Sequence, residues 1–209
     1  MKIAIIGAGN VGGAVATGAL AAGHAVTVTS ADSEKARATA ARTGAQAGTD
    51  LPAAVAQADV VVLAVPYSAV REVAAAIAGS ARGKIVIDAT NPLKDDYSGL
   101  AVSDRSGAEE VQVLLPGARV VKAFNTTFAS NQATGTVDGV QLDGFYAGDD
   151  VQAKTTVAEL LSGMGYRPVD AGSLAASAAL EHMAFLNISL NAANGWSWQS
   201  GWKLVGPLG

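Results

Sequence analysis

A glycine-rich segment near the start of the chain carries the clearest chemical signal in the sequence. The segment comprises Gly7, Ala8, Gly9, Asn10, Val11 and Gly12, which together read G-x-G-x-x-G. In this spacing the first glycine permits a tight turn, the second lets the backbone approach phosphate oxygens, and the third lets a helix pack against a strand. The N–H groups at the start of that helix can then bind an anion. The spacing therefore predicts that this loop binds the pyrophosphate of a dinucleotide.

The residues on either side of the loop predict the elements that hold it. Residues 2–6 form a short apolar run typical of a buried strand, and residues 11–22 are mostly small, as in a closely packed helix. Gly23 would end that helix, and residues 25–29 are typical of a second strand. Together these elements predict a β-α-β unit, the setting in which this glycine pattern binds a dinucleotide.

The rest of the chain alternates between short apolar runs and longer helical stretches, which predicts an α/β fold with a Rossmann-type, doubly wound, mostly parallel sheet. Further strands are predicted over residues 46–48, 59–66, 84–89, 119–124, 140–147 and 166–170. Helices are predicted over residues 33–43, 50–57, 70–78, 106–115 and 151–164. We expect a dinucleotide-binding domain over residues 1–173. Residues 174–209 would form a short helical C-terminal extension that completes an acceptor pocket or a dimer interface.

Candidate site residues are those that follow each strand, because ligands of an open α/β sheet bind outside the carboxyl ends of its strands. Besides Gly7, Gly9, Asn10, Val11 and Gly12, the predicted cofactor contacts are Thr29, Ser30, Ser33, Lys35, Ala64, Val65, Pro66, Asn91 and Asn125. The candidates for the wall of an acceptor pocket are Asn91, Phe124, Asn125, Thr126, Met183 and Trp202. The tryptophans near the C-terminus could stack on a flat ring or form an interface.

The end of the second strand bears on the choice between NAD and NADP. An acidic residue there would bind the ribose 2′-hydroxyl, whereas hydroxyl groups or a cation would bind a 2′-phosphate. Thr29 and Ser30 end the strand and Lys35 lies early in the next helix, which favours NADP. Two alternatives stay open: Asp32 takes the acidic role or caps its helix, and Lys35 is an ordinary solvent-facing residue.

The composition narrows the chemistry further. The chain of 209 residues has no cysteine and two histidines, which excludes disulfides and thiolate zinc sites and argues against a multi-histidine metal site. No Ser/His/Asp set or carboxylate pair has a catalytic spacing, so we predict hydride transfer by positioning, without a catalytic acid or base. The net charge of −4 without a basic run gives no reason to expect nucleic acid or a membrane surface as partner. We expect a cytoplasmic protein with a small-molecule substrate.

Several stretches together resemble the NADPH-dependent coenzyme F420 (deazaflavin) reductase family over nearly the whole chain. They are the glycine loop, Asn-Pro-Leu at 91–93, Val-Lys-Ala-Phe-Asn-Thr at 121–126, and residues 148–172. The oxidoreductase domain of the STEAP metalloreductases is similar around residues 122–125 and 170–174. The resemblance implies a homodimer and reversible hydride exchange between NADP(H) and a flavin-like ring, coenzyme F420 or a flavin, that lies over the nicotinamide.

Two positions depart from the pattern of that family. Ala31 and Asp32 follow Ser30, where the family commonly has an arginine. Ala178 stands three residues before Glu181, where the family commonly has another arginine. The second arginine would suit an anionic or flavin-like ligand, so a free flavin, a quinone or an imine-type molecule is an alternative acceptor.

Two other functions also stay open. One is a dehydrogenase or imine reductase of the wider 6-phosphogluconate-dehydrogenase-like group, which would need a proton donor in the cleft. The sequence offers Tyr67, Tyr97 or His182 for that role. The other is a redox sensor that binds the dinucleotide and changes its affinity for a partner.

Overall fold

The computed structural model describes residues 1–206, which contain ten strands and eight α-helices. In chain order these are β1 (Lys2–Ile6), α1 (Asn10–Ala21), β2 (Ala25–Thr29), α2 (Ser33–Thr43), β3 (Gln46–Ala47), α3 (Leu51–Gln57), β4 (Val60–Leu63), α4 (Val70–Ile77), β5 (Ile85–Asp88), α5 (Gly107–Leu114), β6 (Arg119–Ala123), α6 (Ala129–Gln132), β7 (Thr136–Val137), β8 (Val140–Gln141), β9 (Asp143–Gly148), α7 (Val151–Gly163), β10 (Arg167–Asp170) and α8 (Ser177–Asn194). A C-terminal tail, residues 195–206, follows α8. None of the helices in this range has the length and apolar character that crossing a membrane requires.

Eight of the strands form one sheet in the order β10-β9-β6-β5-β4-β1-β2-β3. The strands from β1 to β6 are parallel to one another, so their carboxyl ends lie along one edge of the sheet. β9 is antiparallel to β6, and β10 is parallel to β9. The strand order reverses beside β1 and β4, and the glycine loop follows β1 at that point. The predicted Rossmann-type fold with a helical C-terminal extension is confirmed.

Helices cover both faces of the sheet, which explains why its central strands are apolar throughout. In β4, Val60 and Val62 face one side and Val61 and Leu63 face the other, and all four are at most 1% exposed. α1 and α7 pack on the first face, and α3, α4 and α5 pack on the second. The resulting two-sided core holds the strand ends, and therefore the loops that follow them, in fixed positions.

One predicted strand, over residues 140–147, is wrong in its first part. β8 pairs with β7 in a separate hairpin, and β9 begins only at Asp143. The turn of the hairpin is Asp138-Gly139, in which both residues have positive φ, +48° and +78°. Such an Asp-Gly pair between two β-branched residues favours a tight two-residue hairpin, and it is the local signal for this turn.

The C-terminal tail is attached to the sheet at the start of β9. The Asp143 N–H donates to the Trp202 carbonyl at 3.1 Å. The buried Asp143 carboxylate accepts two hydrogen bonds from Arg167, at 2.7 and 2.6 Å, and further bonds from Lys203 Nζ and the Leu204 N–H. Burial opposes ionisation of this carboxyl, but the bonds from Arg167, Leu204 and Lys203 outweigh it and hold the pKa of Asp143 below its ordinary value. The ionised carboxylate thus clamps the tail to β9 and β10.

We expect this clamp to open only in acid. Its contribution to stability is complete above the ordinary carboxyl pKa of about 3.9 and is lost as the pH falls through the lower pKa of the folded state. Tryptophan emission should therefore move to longer wavelength late in an acid titration, as Trp202 becomes exposed. The Asp143→Asn variant should show the longer-wavelength emission already at neutral pH. An identical acid transition in the two proteins would contradict the clamp.

Candidate functional site

The three glycines of the loop have different surroundings, and these match the three roles predicted for them. Gly7 has φ +122°, and a Cβ on it would lie 2.1 Å from the Ala64 carbonyl oxygen. A Cβ on Gly12 would lie 1.9 Å from the Gly7 carbonyl oxygen. A Cβ on Gly9 would meet nothing within 4 Å. Gly7 and Gly12 are therefore required by packing, whereas Gly9 borders open space that a ligand can enter.

The N-terminus of α1 follows a loop and has no side-chain cap. α4 and α8 also lack a side-chain cap, but each continues directly from a 3₁₀ turn, at residues 67–69 and 174–176. α2, α3, α5 and α7 are each capped by a side chain, from Asp32, Asp50, Ser106 and Asp150 respectively. α1 begins after Gly9 with no side-chain cap and no acidic residue in its first turn. Its first N–H groups and the positive end of its dipole are thus available to an anion. The loop therefore fits the pyrophosphate of a dinucleotide.

A pocket of about 590 Å³ extends from the glycine loop toward the end of β2. Its walls include the predicted contacts Gly7, Gly9, Thr29, Ser30, Lys35, Ala64, Val65 and Pro66. The far wall is mostly apolar and comes from α3, α4 and the turn before α4, through Leu51, Ala69, Val73 and Ala76, with Glu72 as its charged member. A groove with one apolar wall and hydroxyl groups at one end suits the adenosine half of the cofactor.

The end of this pocket shows what Asp32 and its neighbours do. Asp32 caps α2 by accepting hydrogen bonds from the N–H groups of Glu34 and Lys35, at 3.0 and 3.1 Å. Ser30 Oγ accepts from the Asp32 N–H at 3.2 Å. The Lys35 side chain is 73% exposed, and its Nζ lies 3.8 Å from Asp32. Asp32 therefore has a capping role in this structure, and the exposed Lys35 ammonium, loosely paired with Asp32, lies at the wall of the pocket.

Six of the predicted cofactor contacts lie outside the walls of this pocket: Asn10, Val11, Gly12, Ser33, Asn91 and Asn125. The Ser33 hydroxyl accepts from Arg37 Nη2 at 3.0 Å on the exposed side of α2. Gly12 is buried, with its α-carbon against the loop itself. Asn10 is exposed at the start of α1, and Val11 lines a second pocket.

The second pocket has a volume of about 840 Å³ and lies on the other side of Val65 and Pro66. Its walls are Val11, Val65, Pro66, Tyr67, Ser68, Asn91, Leu93, Lys94, Asp95, Tyr97 and Ala101. The loop after β5 folds back through a bridge between Leu93 and Leu100 and places the exposed Tyr97 at the mouth. This pocket continues the path of the cofactor past β4 and β5, where the nicotinamide end and an acceptor would lie.

Tyr67 lies in the wall of this second pocket, with its hydroxyl turned to Glu110. The hydroxyl donates to Glu110 Oε2 at 2.7 Å. Burial, and then the bond to Glu110, raise the pKa of Tyr67 far above its ordinary value. A hydroxyl with such a pKa is a poor proton donor, which weakens the dehydrogenase or imine-reductase alternative.

Asn91 and Asn125 follow β5 and β6 and hold each other through their side chains, which we call the amide pair. Asn91 Nδ2 donates to the Asn125 carbonyl, and Asn125 Nδ2 donates to Asn91 Oδ1, both at 3.0 Å. Asn125 Nδ2 also donates to the Leu180 carbonyl of α8 at 3.0 Å. Asn91 faces the second pocket, whereas Asn125 is 5% exposed and its Oδ1 has no partner within residues 1–206. Asn91 therefore presents the amide pair to the second pocket, and Asn125 supports it from behind.

Five residues predicted to line the acceptor pocket are not in the walls of either pocket: Phe124, Asn125, Thr126, Met183 and Trp202. The predicted place of Phe124 in the pocket wall is corrected: its φ is +67°, it is 2% exposed, and its ring packs edge-on against Tyr166 in the core. Thr126 is buried as well. Met183 lies half-buried on α8, and Trp202 lies in the tail next to β9. Asn125 lies behind the pocket wall, but it is bonded to Asn91, which lines the second pocket.

A buried charge cluster, none of whose members is among the predicted site residues, lies behind the amide pair. Lys122 Nζ donates to Asp88 Oδ2 at 2.9 Å, to Glu181 Oε1 at 2.8 Å and to the Thr90 carbonyl at 2.7 Å. The side chains of Lys122, Asp88 and Glu181 are all fully buried. Glu181 also accepts from two N–H groups at the start of α5. Charged residues inside the apolar runs of β5 and β6 are the signal for such a cluster, because a buried charge must be paired.

The open start of α1 and the two pockets along the same sheet edge make this chain a dinucleotide-binding protein of the Rossmann type. Its residues 2–92 match the family model described as NADP oxidoreductase, coenzyme F420-dependent. A protein named F420-dependent NADP reductase from Methanothermobacter thermautotrophicus is 36% identical over 93% of this chain and 90% of its own length. The chain therefore belongs to the F420-dependent NADP reductase family, and it is an NAD(P)H-dependent oxidoreductase.

Two further relatives agree with the family resemblance stated above, which is confirmed. A crystal structure of a candidate F420-dependent NADP reductase from an Arthrobacter species superimposes with a TM-score of 0.86 at 29% identity, covering 98% of this chain and all of the other. Metalloreductase STEAP3 from Rattus norvegicus is 36% identical over 50% of this chain, which corresponds to 21% of its own length. The similarity to STEAP3 thus concerns one part of a much longer protein.

Proposed function

We propose that this protein transfers a hydride between NADP(H) and a planar, flavin-like acceptor, either the deazaflavin F420 or a free flavin. The observation that carries the proposal is the uncapped start of α1, from which two pockets extend in opposite directions along the sheet edge. The names of the full-length relatives support both NADP and F420. When bound, the nicotinamide supplies or accepts the hydride.

The residues of the chain bind and orient the reactants in this proposal. The glycine loop binds the pyrophosphate, the pocket beside Ser30 and Lys35 binds the adenosine ribose and its phosphate, and Val65 and Pro66 separate the two halves. The amide pair holds the nicotinamide end, and Asn91 orients it. A flavin-like ring accepts its own proton at nitrogen, so this acceptor does not depend on Tyr67 as a proton donor.

The acceptor is identified by a direct turnover assay. Purified protein is mixed with NADPH and, separately, with F420, FMN, FAD, a quinone and a cyclic imine, and the loss of the reduced-nicotinamide absorbance is followed. We expect the fastest turnover with F420 or with a free flavin. Turnover of the imine alone would favour the imine-reductase alternative, and tight NADPH binding without any turnover would favour the redox sensor.

For the cofactor, we predict that the Ser30→Ala/Lys35→Ala variant discriminates less between NADPH and NADH. Loss of an ammonium and a hydroxyl group from a phosphate site should weaken NADPH binding by about tenfold and leave NADH binding nearly unchanged. Titration of each cofactor by fluorescence measures both affinities. Ser33→Ala is the matched control, because its hydroxyl is bound to Arg37 away from the pocket. Unaltered NADPH binding in the double variant would show that the 2′-phosphate lies elsewhere.

We also propose that residues 174–209 contribute a homodimer interface. The outward face of α8 exposes Leu186 and Leu190, and Trp196 follows at the start of the tail, about half exposed. Apolar side chains grouped in this way favour association with a second copy of the chain. Sedimentation of the parent protein and of Leu186→Glu/Leu190→Glu tests this: the parent should be a dimer and the variant a monomer.

A further inference from the structure

We propose that Lys122 is a positioning residue for hydride transfer, because its ammonium fixes the amide pair at the rim of the second pocket. This role rests on the proposed function of that pocket. Lys122 itself is fully buried and lines neither pocket, so it acts through other residues.

Asn125 is bonded to two residues, Asn91 and Leu180, and each of them is next in sequence to a group that accepts a hydrogen bond from Lys122. Lys122 binds the carbonyl of Thr90, and Thr90 precedes Asn91. It also binds Glu181, which follows Leu180, whose carbonyl accepts from Asn125. The ammonium therefore holds the two chain segments between which the Asn125 side chain is fixed.

The buried charge cluster leaves Thr90 little freedom to move. Asp88 Oδ1 accepts from the Thr90 N–H at 3.0 Å and from its hydroxyl at 2.7 Å, while Asp88 Oδ2 accepts from Lys122. The three protons of the ammonium match its three acceptors. Because every member is buried and paired, a change in one of them must displace the others or leave a charge unpaired.

The buried charge cluster is also connected to the opposite wall of the second pocket. Glu181 Oε2 accepts from the Gly107 N–H at 3.0 Å and Oε1 from the Ala108 N–H at 3.3 Å, which fixes the start of α5. From α5, Glu110 accepts the hydroxyl of Tyr67, a residue of the pocket wall. Lys122 is therefore connected to Asn91 on one side of the pocket and to Tyr67 on the other. We call the buried charge cluster together with the start of α5 the frame of the pocket. Hydride transfer depends steeply on the placement of the two rings, so loosening this frame should slow the reaction.

The test compares Glu181→Gln with Asp143→Asn. In Glu181→Gln the new NH₂ group must face a hydrogen-bond donor, either Lys122 or the start of α5, whichever way the amide is oriented. The frame is therefore disturbed, while Lys122 keeps its ion pair with Asp88. Asp143→Asn likewise neutralises a fully buried, ion-paired carboxylate, but at the tail clamp rather than in the frame. Lys122→Met is a third variant, measured at low temperature if its stability permits.

Two readouts separate positioning from a merely structural role. In single-turnover reactions at saturating NADPH and acceptor, the hydride-transfer rate of Glu181→Gln should fall by about tenfold or more, with that of Asp143→Asn within about twofold of the parent. In the ligand-free protein, the side-chain NH₂ resonances of Asn91 and Asn125 should shift in Glu181→Gln and not in Asp143→Asn. Unshifted resonances with a parent-like rate, or equal effects of the two variants, would overturn the proposal.

The second readout also keeps this inference separate from the proposed function. If the parent protein turns over none of the acceptors, the proposed function fails, but the resonances still report whether the cluster holds the amide pair. If the parent is active and the resonances do not move, the function stands and the role of Lys122 is refuted.

Discussion

The Lys122→Met variant is expected to lose about 3–5 kcal/mol of folding stability, because removing one partner of a buried ion pair leaves uncompensated charge in the interior. Asp88 and Glu181 lie 2.9 and 2.8 Å from the ammonium and have no exposed surface. The Thr90 carbonyl loses a donor in the same variant. Methionine fills a similar volume, so the effect reports on charge and hydrogen bonding rather than on a cavity. Urea unfolding at neutral pH, followed by circular dichroism, measures the change in the free energy of unfolding.

Two comparisons make this result specific to the buried cluster. Lys2→Met makes the same chemical change at an exposed position and should alter stability by no more than about 0.5 kcal/mol. Lys122→Met/Asp88→Asn/Glu181→Gln removes both orphaned charges and should recover part of the loss, since neutral groups cost less to bury. A Lys122→Met variant as stable as the parent would mean that the three charges do not depend on one another.

Local sequence patterns predicted most of the fold because each element is determined by neighbouring residues. The helix over Ser33–Thr43 begins after the Asp32 cap and ends before a glycine with φ +85°, so both of its ends are encoded within a few residues. The Asp88–Lys122–Glu181 cluster has no such local code. Its members are 34 and 59 residues apart in sequence, and only the assembled sheet and α8 bring them together.

The candidate site was predicted in part, for a related reason. The rule that ligands bind at the carboxyl ends of strands selects one edge of a sheet, and Ser30, Asn91 and the glycine loop line pockets at that edge. The rule does not say to which side each residue turns. Phe124 follows β6 as predicted, but its left-handed backbone conformation directs the ring into the core. The pocket wall formed by residues 93–101 depends on how that loop folds back, which no periodic pattern encodes.

Replacing a glycine of the loop by alanine is expected to weaken NADPH binding at two positions, but for different physical reasons. Gly9→Ala should fold like the parent, because φ is −81° and a Cβ there meets nothing within 4 Å. It should nevertheless weaken NADPH binding by about tenfold or more, because the methyl group occupies the space through which the backbone approaches the pyrophosphate. Gly12→Ala should also weaken NADPH binding, but because the substitution displaces α1 and destabilises the protein.

In Gly12→Ala the new methyl group would lie 1.9 Å from the Gly7 carbonyl oxygen and 3.3 Å from the Ile5 side chain, so α1 must move away from β1. Overpacking of this kind should lower stability by about 1–3 kcal/mol. Thermal unfolding and NADPH titration of both variants separate the two causes: Gly9→Ala should change affinity alone, and Gly12→Ala should change both. Parent-like NADPH affinity in a normally folded Gly9→Ala protein would mean that the open space beside Gly9 does not hold the phosphates, and the assignment of the loop would then be wrong.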